Sequence, residues 1–235
     1  MIRYIYGRDL GTHPRLRDGM FRDRAAQFVR RLGWDLPLTP DGREIDAYDG
    51  LDPLYVIWET PGGDHGGSMR LLPTLGPTMV NDYFTHLTDG VRIESPLIWE
   101  CTRFCLSETA DPRVAAALML AGGEVLEHFG VAHFVGVFDA RMVRIYRRIG
   151  ASPEVLGSAG RGRAAISVGL WSFETEARAR VATRAGIAPE TSRRWFDAAF
   201  GTPPRRTETA HVSRQANRNS QLPREITAAV SVPVA

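Results

Sequence analysis

The spacing of apolar and polar positions predicts where the chain forms helices and where it forms strands. Over residues 14–33 apolar side chains recur at helical intervals, which predicts an amphipathic helix that ends at Gly33. Residues 34–50 contain Pro, Gly and Asp without a clear period, a pattern typical of an ordered loop that folds over a ligand. Apolar runs over residues 51–60 and 66–74 flank a glycine-rich turn and predict two strands, which begin an antiparallel meander.

Strand and helix patterns alternate through the second half of the chain. After a loop with a short helix over residues 75–95, the patterns predict a strand over 96–106, a helix over 111–128, a strand over 131–138, a basic helix over 140–150, strands near 152–157 and 164–171, and helices around 173–185 and 189–199. A meander followed by this alternation is the order expected of the acetyltransferase (GNAT) fold. We therefore predict an α/β (α+β) fold, with a mixed, mostly antiparallel sheet and helices on both faces.

Length and composition favour one domain followed by a tail. The chain has 235 residues and is 43% apolar, enough for one sizeable core over residues 1–200. Residues 201–235 are polar, contain Pro and lack Phe, Trp and Tyr, which predicts a mobile tail. There is no long apolar run, and Arg3, Arg8 and Asp9 interrupt the start of the chain where a signal peptide needs apolar residues. We expect a cytoplasmic protein without a membrane partner.

The charge and the metal-binding residue types exclude several function classes. A net charge of +2 gives no polybasic character, so no nucleic-acid partner is expected. All 29 basic residues are arginine, which excludes a lysine Schiff base and favours bidentate contacts to anions. The histidines and the two cysteines, Cys101 and Cys105, lack the spacings of zinc sites, so we expect no metal.

Charged and aromatic residues are spaced through the first half of the chain in a way that a core does not require. The set is Arg24, Phe28, Trp34, Asp46, Asp49, Arg70, Glu100 and Arg103. Buried without partners, such charges would be costly, so they should pair with one another or hold a ligand. Their order, their intervals and the flanking words MFRDRAAQFVRRLGW, REIDAYDG, GSMRLLPT and WECTRF resemble the LuxI-type acyl-homoserine-lactone synthases, or autoinducer synthases, over residues 20–106.

This resemblance implies a reaction and its substrates. The implied enzyme transfers an acyl group from acyl carrier protein, or from an acyl-CoA, to the amine of S-adenosylmethionine, with lactonisation and release of 5′-methylthioadenosine, to make a quorum-sensing signal. S-adenosylmethionine is a substrate, and no cofactor is implied. The resemblance assigns catalysis to Arg24, Asp46, Asp49, Arg70, Glu100 and Arg103, and S-adenosylmethionine binding to Phe28, Trp34, Phe84, Thr102 and Phe104.

The chemistry of the first step gives Glu100 two possible roles. The amine must be uncharged to attack the thioester, so Glu100 is a candidate general base; alternatively, it only holds an arginine in place. In a regular strand Glu100 and Arg103 would face opposite sides, so their cooperation requires a bulge. A bulge near Phe104 and Cys105 would also free backbone N–H groups to bind the developing oxyanion.

Two further sets of residues carry expectations about the acyl donor. The resemblance implies an acyl pocket between the strands at 100–106 and 131–138, with Gly136 or its neighbours Val135 and Val137 near the position where many synthases of 3-oxo-acyl products carry a threonine. None of these three has a hydroxyl group to bond a 3-oxo oxygen, which favours an acyl chain without a 3-oxo group. The basic helix is a candidate docking surface for an acidic carrier protein, or simply a solvated face, through Arg141, Arg144, Arg147 and Arg148.

Two functions from other classes remain open at this point. A different N-acyltransferase of the same fold would use a CoA thioester, but the segment CLSETADPR lacks the glycines that usually bind its pyrophosphate. A sensor without catalytic activity could keep a nucleoside pocket and lose the thioester cleft. Formation of methylthioadenosine separates the first alternative from a synthase, and any turnover excludes the second.

Overall fold

One seven-stranded sheet runs through the part of the chain that the computed structural model describes, residues 1–201. The strands are β1 (Ile2–Tyr6), β2 (Leu54–Glu59), β3 (His65–Pro73), β4 (Ile98–Leu106), β5 (His133–Asp139), β6 (Glu154–Ala159) and β7 (Ile166–Trp171). Their spatial order is β1-β2-β3-β4-β5-β7-β6. Residues 202–235, which include almost all of the predicted polar tail, lie outside the described residues.

The sheet is antiparallel at every pair except the central one. Strands β4 and β5 are parallel and pair only where Ile98–Glu100 lies beside residues 133–135. Beyond Glu100 the two strands have no further paired residues, although both continue. The sheet is therefore split at its centre, with the closed end of the split at the start of both strands.

Helices cover both faces of the sheet. They are α1 (Pro14–Arg24), α2 (Met79–Tyr83), α3 (Val114–Phe129), α4 (Ala140–Ile149), α5 (Thr175–Ala185) and α6 (Pro189–Phe200). The main apolar core joins α3, α5 and α6 to one face, while α1 packs on the other face against Ile5, Tyr55 and Ile57. The predicted fold class, a mixed and mostly antiparallel sheet with helices on both faces, is confirmed. No helix in the described part of the chain is both long enough and apolar enough to cross a membrane.

The observed elements differ from the predicted ones in two places. The sequence analysis did not predict β1, a five-residue strand at the edge of the sheet in which Ile2, Tyr4 and Ile5 are buried. The predicted helix over 14–33 is α1 followed by a π-helical stretch, Ala25–Arg31, after which Gly33 has φ +70°. Such a stretch widens the helix by one residue per turn and shifts the facing of the side chains that follow it.

Candidate active site

A β-bulge in β4 sets the direction of the side chains at the centre of the sheet. Between the pairs Arg70–Thr102 and Ser68–Cys105, β4 has one residue more than β3. Arg103 lies in this interval with φ +52°, a left-handed conformation that is uncommon outside glycine. The predicted bulge is therefore present. Because of the bulge, the side chains of Thr102 and Arg103 lie on the same face of the sheet, whereas in a regular strand they would lie on opposite faces.

Three arginines and three carboxylates form a closed ring of ion pairs on the α1 face of the sheet. In order around the ring, each touching the next, they are Arg24, Asp49, Arg70, Asp46, Arg103 and Glu44. Opposite charges alternate around this ion-pair ring, so its formal charge is zero. The structure thus brings together five of the predicted site residues and adds one, Glu44.

The contacts within the ion-pair ring are short and mostly paired. The Arg24 guanidinium donates to Asp49 through two nitrogens, at 2.9 and 3.0 Å, and to Glu44 at 2.5 Å. Arg70 donates to Asp46 at 2.5 Å and to Asp49 at 2.8 Å. Arg103 closes the ring, 2.9 Å from Glu44 and 2.8 Å from Asp46. Charge-assisted bonds of this kind fix orientation as well as distance.

Burial makes these pairings obligatory. Arg24 and Arg70 are fully buried, and Glu44 is 1% exposed. Burial by itself disfavours the ionised form of Asp49, but hydrogen bonds and charge from Arg24 and Arg70 outweigh it and hold the pKa of that carboxyl well below its ordinary value. The carboxylates likewise outweigh burial at Arg24 and Arg70 and raise the pKa of both guanidinium groups. These pairings therefore favour the ionised forms of Asp49, Arg24 and Arg70.

The Asp-x-x-Asp spacing has a local cause. Asp46 precedes a single 3₁₀ turn, Ala47–Gly50, and its side chain accepts hydrogen bonds from the backbone N–H groups of Tyr48 and Asp49. Asp49 in turn accepts from the backbone N–H of Asp46, at 2.8 Å. This reciprocal cap holds both carboxylates in place before either meets an arginine. The loop over 34–50 is therefore ordered at this end by its own residues.

Glu44 was not identified from the sequence, and Glu100 has a different position from the one expected. The sequence analysis counted Glu100 as the third carboxylate beside three arginines, but Glu44 fills that place. A count of charges could have indicated Glu44. If Glu100 does not pair with an arginine, the three arginines have only two carboxylates, Asp46 and Asp49, and a third is required. Glu44 is held in the extended loop by an isolated bridge to Leu38.

Glu100 receives backbone hydrogen bonds instead of an arginine. Its carboxylate accepts from the backbone N–H groups of Met79, at 3.0 Å, and Val80, at 2.6 Å, at the start of α2. No arginine of the described residues hydrogen-bonds it, so these contacts give no support to the alternative that Glu100 only holds an arginine. Glu100 is only 1% exposed, and this burial raises the pKa of its carboxyl to about 7, although the two backbone hydrogen bonds act in the opposite direction. With this pKa, the carboxyl can gain or lose a proton near neutral pH.

Phe28 and Trp34 form a stacked pair beside the ion-pair ring. Their ring centroids are 5.0 Å apart and their planes differ by 9°. Phe28 is buried beneath the Arg103 guanidinium, at 5.7 Å, whereas Trp34 is 40% exposed. The pair therefore presents one free aromatic face next to buried charges, a surface suited to a flat or cationic ligand.

A cavity of about 160 Å³ occupies the split between β4 and β5. Trp34 and Arg103 line it on the side of the ion-pair ring. Much of the rest is lined by aromatic side chains and glycines, namely Phe104, Phe134, Phe138, Tyr146, Trp171, Phe173, Gly122, Gly123 and Gly136. The lining also includes the apolar side chains of Leu32, Met69, Met119, Met142 and Ile145 and the polar or charged side chains of Gln27, Arg31, Asp139 and Arg141. Thr102 also lines the cavity, and its hydroxyl accepts a hydrogen bond from Arg70. The split thus joins the charged face of the sheet to an apolar pocket under α3.

Two residues assigned from the sequence lie elsewhere. Val135 is fully buried in a separate apolar cluster with Val80 and Val168, because alternate residues of β5 face opposite sides of the sheet. It does not line the cavity between β4 and β5, which corrects its assignment to the predicted acyl pocket. Phe84, expected beside S-adenosylmethionine, packs against that same cluster and does not line the cavity. Val137 lines the cavity at its edge.

Gly136 lines the cavity but leaves no room for a side chain. A Cβ atom built on Gly136 would lie 2.7 Å from the carbonyl oxygen of Cys101, so a threonine does not fit there without a backbone shift. Two residues that carry hydroxyl groups, Thr102 and Tyr146, line the cavity from other elements. The absence of a hydroxyl on β5 therefore does not by itself decide whether the pocket accepts a 3-oxo group.

The four arginines of α4 are exposed, as expected of either a docking surface or a solvated face. Arg141 pairs with Asp139 at 2.7 Å and lines the mouth of the cavity. Arg144, Arg147 and Arg148 pair with no carboxylate among the residues that the structure describes. We call these three side chains the α4 basic face.

One group of side chains has the composition of a metal site. Glu124, Glu127 and His128 offer ligand atoms within 4.8 Å of one another. Arg178 already binds Glu124, at 2.6 Å, and also Glu127. These acids therefore have a cationic partner within the protein, and the cluster lies outside the cavity lining. The absence of a metal from the reaction remains a prediction.

Comparisons with known proteins agree with this arrangement. The autoinducer synthase family model matches residues 9–181. An acyl-homoserine-lactone synthase of Rhizobium etli is 41% identical over 183 residues, which cover 75% of this chain and 86% of that protein. One from Pseudomonas fluorescens is 34% identical over 139 residues, 58% of this chain and 69% of that protein.

Solved structures show the same fold. The structure of MesI, described as a CoA-dependent acyl-homoserine lactone synthase, superposes with a TM-score of 0.70 at 25% identity and covers 80% of this chain and 96% of that one. The family model spans most of this chain, and it includes every member of the ion-pair ring and the whole cavity lining. The chain therefore belongs to the autoinducer synthase family of acyltransferases, whose named members here are acyl-homoserine-lactone synthases.

Proposed function

We propose that this protein transfers an acyl group from the thioester of acyl carrier protein to the amine of S-adenosylmethionine and then closes the homoserine lactone, producing a quorum-sensing signal. One observation carries the proposal: the ion-pair ring and the apolar cavity meet at Arg103, through the split in the sheet. A charged, zwitterionic acceptor and an apolar acyl chain need these two environments side by side. Both substrates belong to the cytoplasm, where we place the protein.

Glu100 is the proposed base of the first step. The amine of S-adenosylmethionine loses a proton to Glu100, directly or through water, and its lone pair attacks the thioester carbonyl. The C–N bond forms, the C–S bond breaks, and the thiolate leaves and takes up a proton. A carboxyl with a pKa of about 7 is well matched to this work near neutral pH. The Arg103–Phe104 bulge, where the β3–β4 ladder is interrupted, is the candidate oxyanion site.

The second step needs position more than further chemistry. The carboxylate oxygen of the acylated intermediate attacks its own γ-carbon, the bond from that carbon to the sulfonium breaks, and 5′-methylthioadenosine leaves. Both reacting groups belong to one molecule, so orientation supplies most of the acceleration. The exposed face of Trp34, stacked on Phe28, is the proposed contact for the sulfonium and adenine. Thr102 and Phe104 adjoin this position in the cavity lining.

The choice of carrier protein as donor rests on charge. The α4 basic face lies on the helix whose first turn lines the cavity mouth, and an acidic carrier protein would be drawn to it. The segment between β4 and α3 contains Glu108 and Asp111 and no glycine, which is unfavourable for the pyrophosphate of CoA. The likeness to MesI, described as CoA-dependent, supports the alternative of an acyl-CoA donor.

The test measures 5′-methylthioadenosine and acyl-homoserine lactone by mass spectrometry from purified protein. Acyl carrier protein and CoA thioesters of the same acyl group are compared by kcat/KM, for the wild type and for a variant with Arg144, Arg147 and Arg148 changed to Ala. We expect about a tenfold loss with the carrier protein only, because steering acts on the protein donor. A higher kcat/KM with the CoA thioester would contradict the proposal that acyl carrier protein is the donor. Acylation without release of methylthioadenosine would indicate another N-acyltransferase. The absence of turnover with any donor would indicate a sensor.

A further inference from the structure

The cavity has an open end and a closed end, which the strand register identifies. Strands β4 and β5 pair only at their first residues, so the split closes there. Strand β7 runs antiparallel to β5, and its last residue, Trp171, lies opposite Phe134 near the start of β5. Phe173, two residues further on, therefore lies at the closed end, whereas Arg103 and Asp139 lie at the open end.

Phe173 lies against a glycine in the middle of a helix. Gly123 is in the third turn of α3, and a Cβ atom built on it would be 2.4 Å from the Phe173 ring. Glycine is a poor helix former, so its presence here requires another reason. The contact supplies one, since any side chain at position 123 would collide with the Phe173 ring where it now lies.

Other aromatic walls of the cavity are fixed more firmly. Trp171 donates a hydrogen bond from Nε1 to the carbonyl oxygen of Ala151, at 2.9 Å, and packs edge-on against Phe138 and Tyr146. Phe173 is only partly buried and has no such bond. Of the residues at the closed end, Phe173 is therefore the one whose size and position can change the depth of the cavity without disturbing the sheet.

The volume indicates which acyl groups fit. An apolar protein cavity of about 150 Å³ holds benzene, a six-carbon molecule, and this cavity measures about 160 Å³. We infer that Phe173, seated on Gly123, is the end wall of the acyl pocket and limits the acyl group to about six carbons within it. The inference rests on the proposed function, because it takes the cavity to be the acyl site.

Two substitutions should move this wall in opposite directions. Phe173→Ala opens the closed end, so the ratio of kcat/KM for a donor of about ten carbons to that for about six carbons should rise about tenfold. Gly123→Ala forces the Phe173 ring into the cavity, so the ratio of six-carbon to four-carbon donors should fall by a similar factor. A change in these ratios, rather than in total activity, separates a wall from a merely structural residue.

Matched controls test the specificity of the effect. Phe200→Ala removes another partly buried phenylalanine, which packs on Tyr4 and Phe196 outside the cavity, and Gly11→Ala adds a methyl group where nothing lies within 4 Å. Neither should change the ratios. Phe173→Leu is measured alongside and should shift the profile in the same direction as Ala, by less.

The outcomes distinguish this inference from the proposed function. If the wild type turns over and the ratios of kcat/KM between acyl lengths are unchanged in Phe173→Ala, Phe173→Leu and Gly123→Ala, then Phe173 is not the end wall. The proposed synthase activity would be unaffected by that result. An equal shift in the Phe200→Ala control would also overturn it. Wild-type protein that forms no methylthioadenosine with any donor would overturn the proposed function itself.

Discussion

The ion-pair ring and the apolar cavity lie on either side of one strand, β4, and are built by opposite means. In the ring each side chain is held by at least two oppositely charged neighbours, so its geometry is fixed before any substrate arrives. In the cavity most walls are apolar, largely aromatic rings, methionines and glycines, and are held mainly by packing. Directional bonds specify the charged half, whereas the apolar half is specified mainly by shape.

This difference indicates where the molecule tolerates change. A buried charge that loses its partner lowers the stability of the fold. In the closed ring each of the six charged side chains has a partner, so removing one of them leaves its neighbours without theirs. An apolar wall that loses part of a ring leaves only a larger space. Substitutions in the charged half should therefore affect folding and catalysis, and those in the apolar half the choice of acyl group.

The largest expected effect is on stability. Arg70→Ala leaves Asp46 and Asp49 facing each other without the guanidinium between them, so it should lower the free energy of unfolding by about 3–5 kcal/mol. Arg15→Ala is the matched control, because its pair with Asp64 is exposed and should contribute less than about 1 kcal/mol. Urea denaturation measures both. Equal losses in the two variants would remove the contrast between ring and surface.

A second change separates charge from shape at Glu100. Glu100→Gln keeps the size of the side chain but removes the base, so turnover should fall by about 10²-fold. The folded protein holds the Glu100 proton up to a pKa of about 7, above the ordinary value of 4.5, so this group makes wild-type stability fall as pH rises from about 4.5 to about 7.

The glutamine variant should lack that contribution. The difference between the unfolding free energies of wild type and Glu100→Gln, measured across this pH window, should shift in favour of the variant as the pH rises. A constant difference would show that Glu100 has an ordinary pKa, and turnover within about twofold of wild type would show that it is not the base.

The smallest of these expected effects is on substrate affinity, at Trp34, which lies between the ion-pair ring and the cavity. Trp34→Ala should raise the KM for S-adenosylmethionine by about tenfold, because one aromatic contact to a cation is lost, and leave the KM for the acyl donor nearly unchanged. Trp195→Ala removes a tryptophan that packs on Trp58 outside the cavity and serves as the control. Equal changes in both KM values would mean that Trp34 supports the fold rather than the acceptor site.

The sequence predicted the positions of helices, strands and charged site residues better than it predicted which side of the sheet each side chain faces. Its periodicity located most helices and strands to within a few residues, and the Asp-x-x-Asp and Glu-x-x-Arg spacings reflect a local turn and a bulge. It did not identify Glu44, because the need for a third carboxylate appears only when Glu100 is seen to bind the start of α2. It assigned Val135 to the cavity because neighbours in a strand were counted together, although they face opposite sides.

The bulge at Arg103 acts as a phase shift in the alternation of β4. Upstream of it, Cys101 faces the α3 side and Glu100 the α2 side; with one extra residue, Phe104 again faces the cavity while Arg103 stays on the charged side. In an uninterrupted strand, Arg103 would enter the apolar pocket and Phe104 would displace it from the ring. A single left-handed residue thus lets one strand contribute to both the ion-pair ring and the apolar cavity, and deletion of one residue here would exchange the side chains that face them.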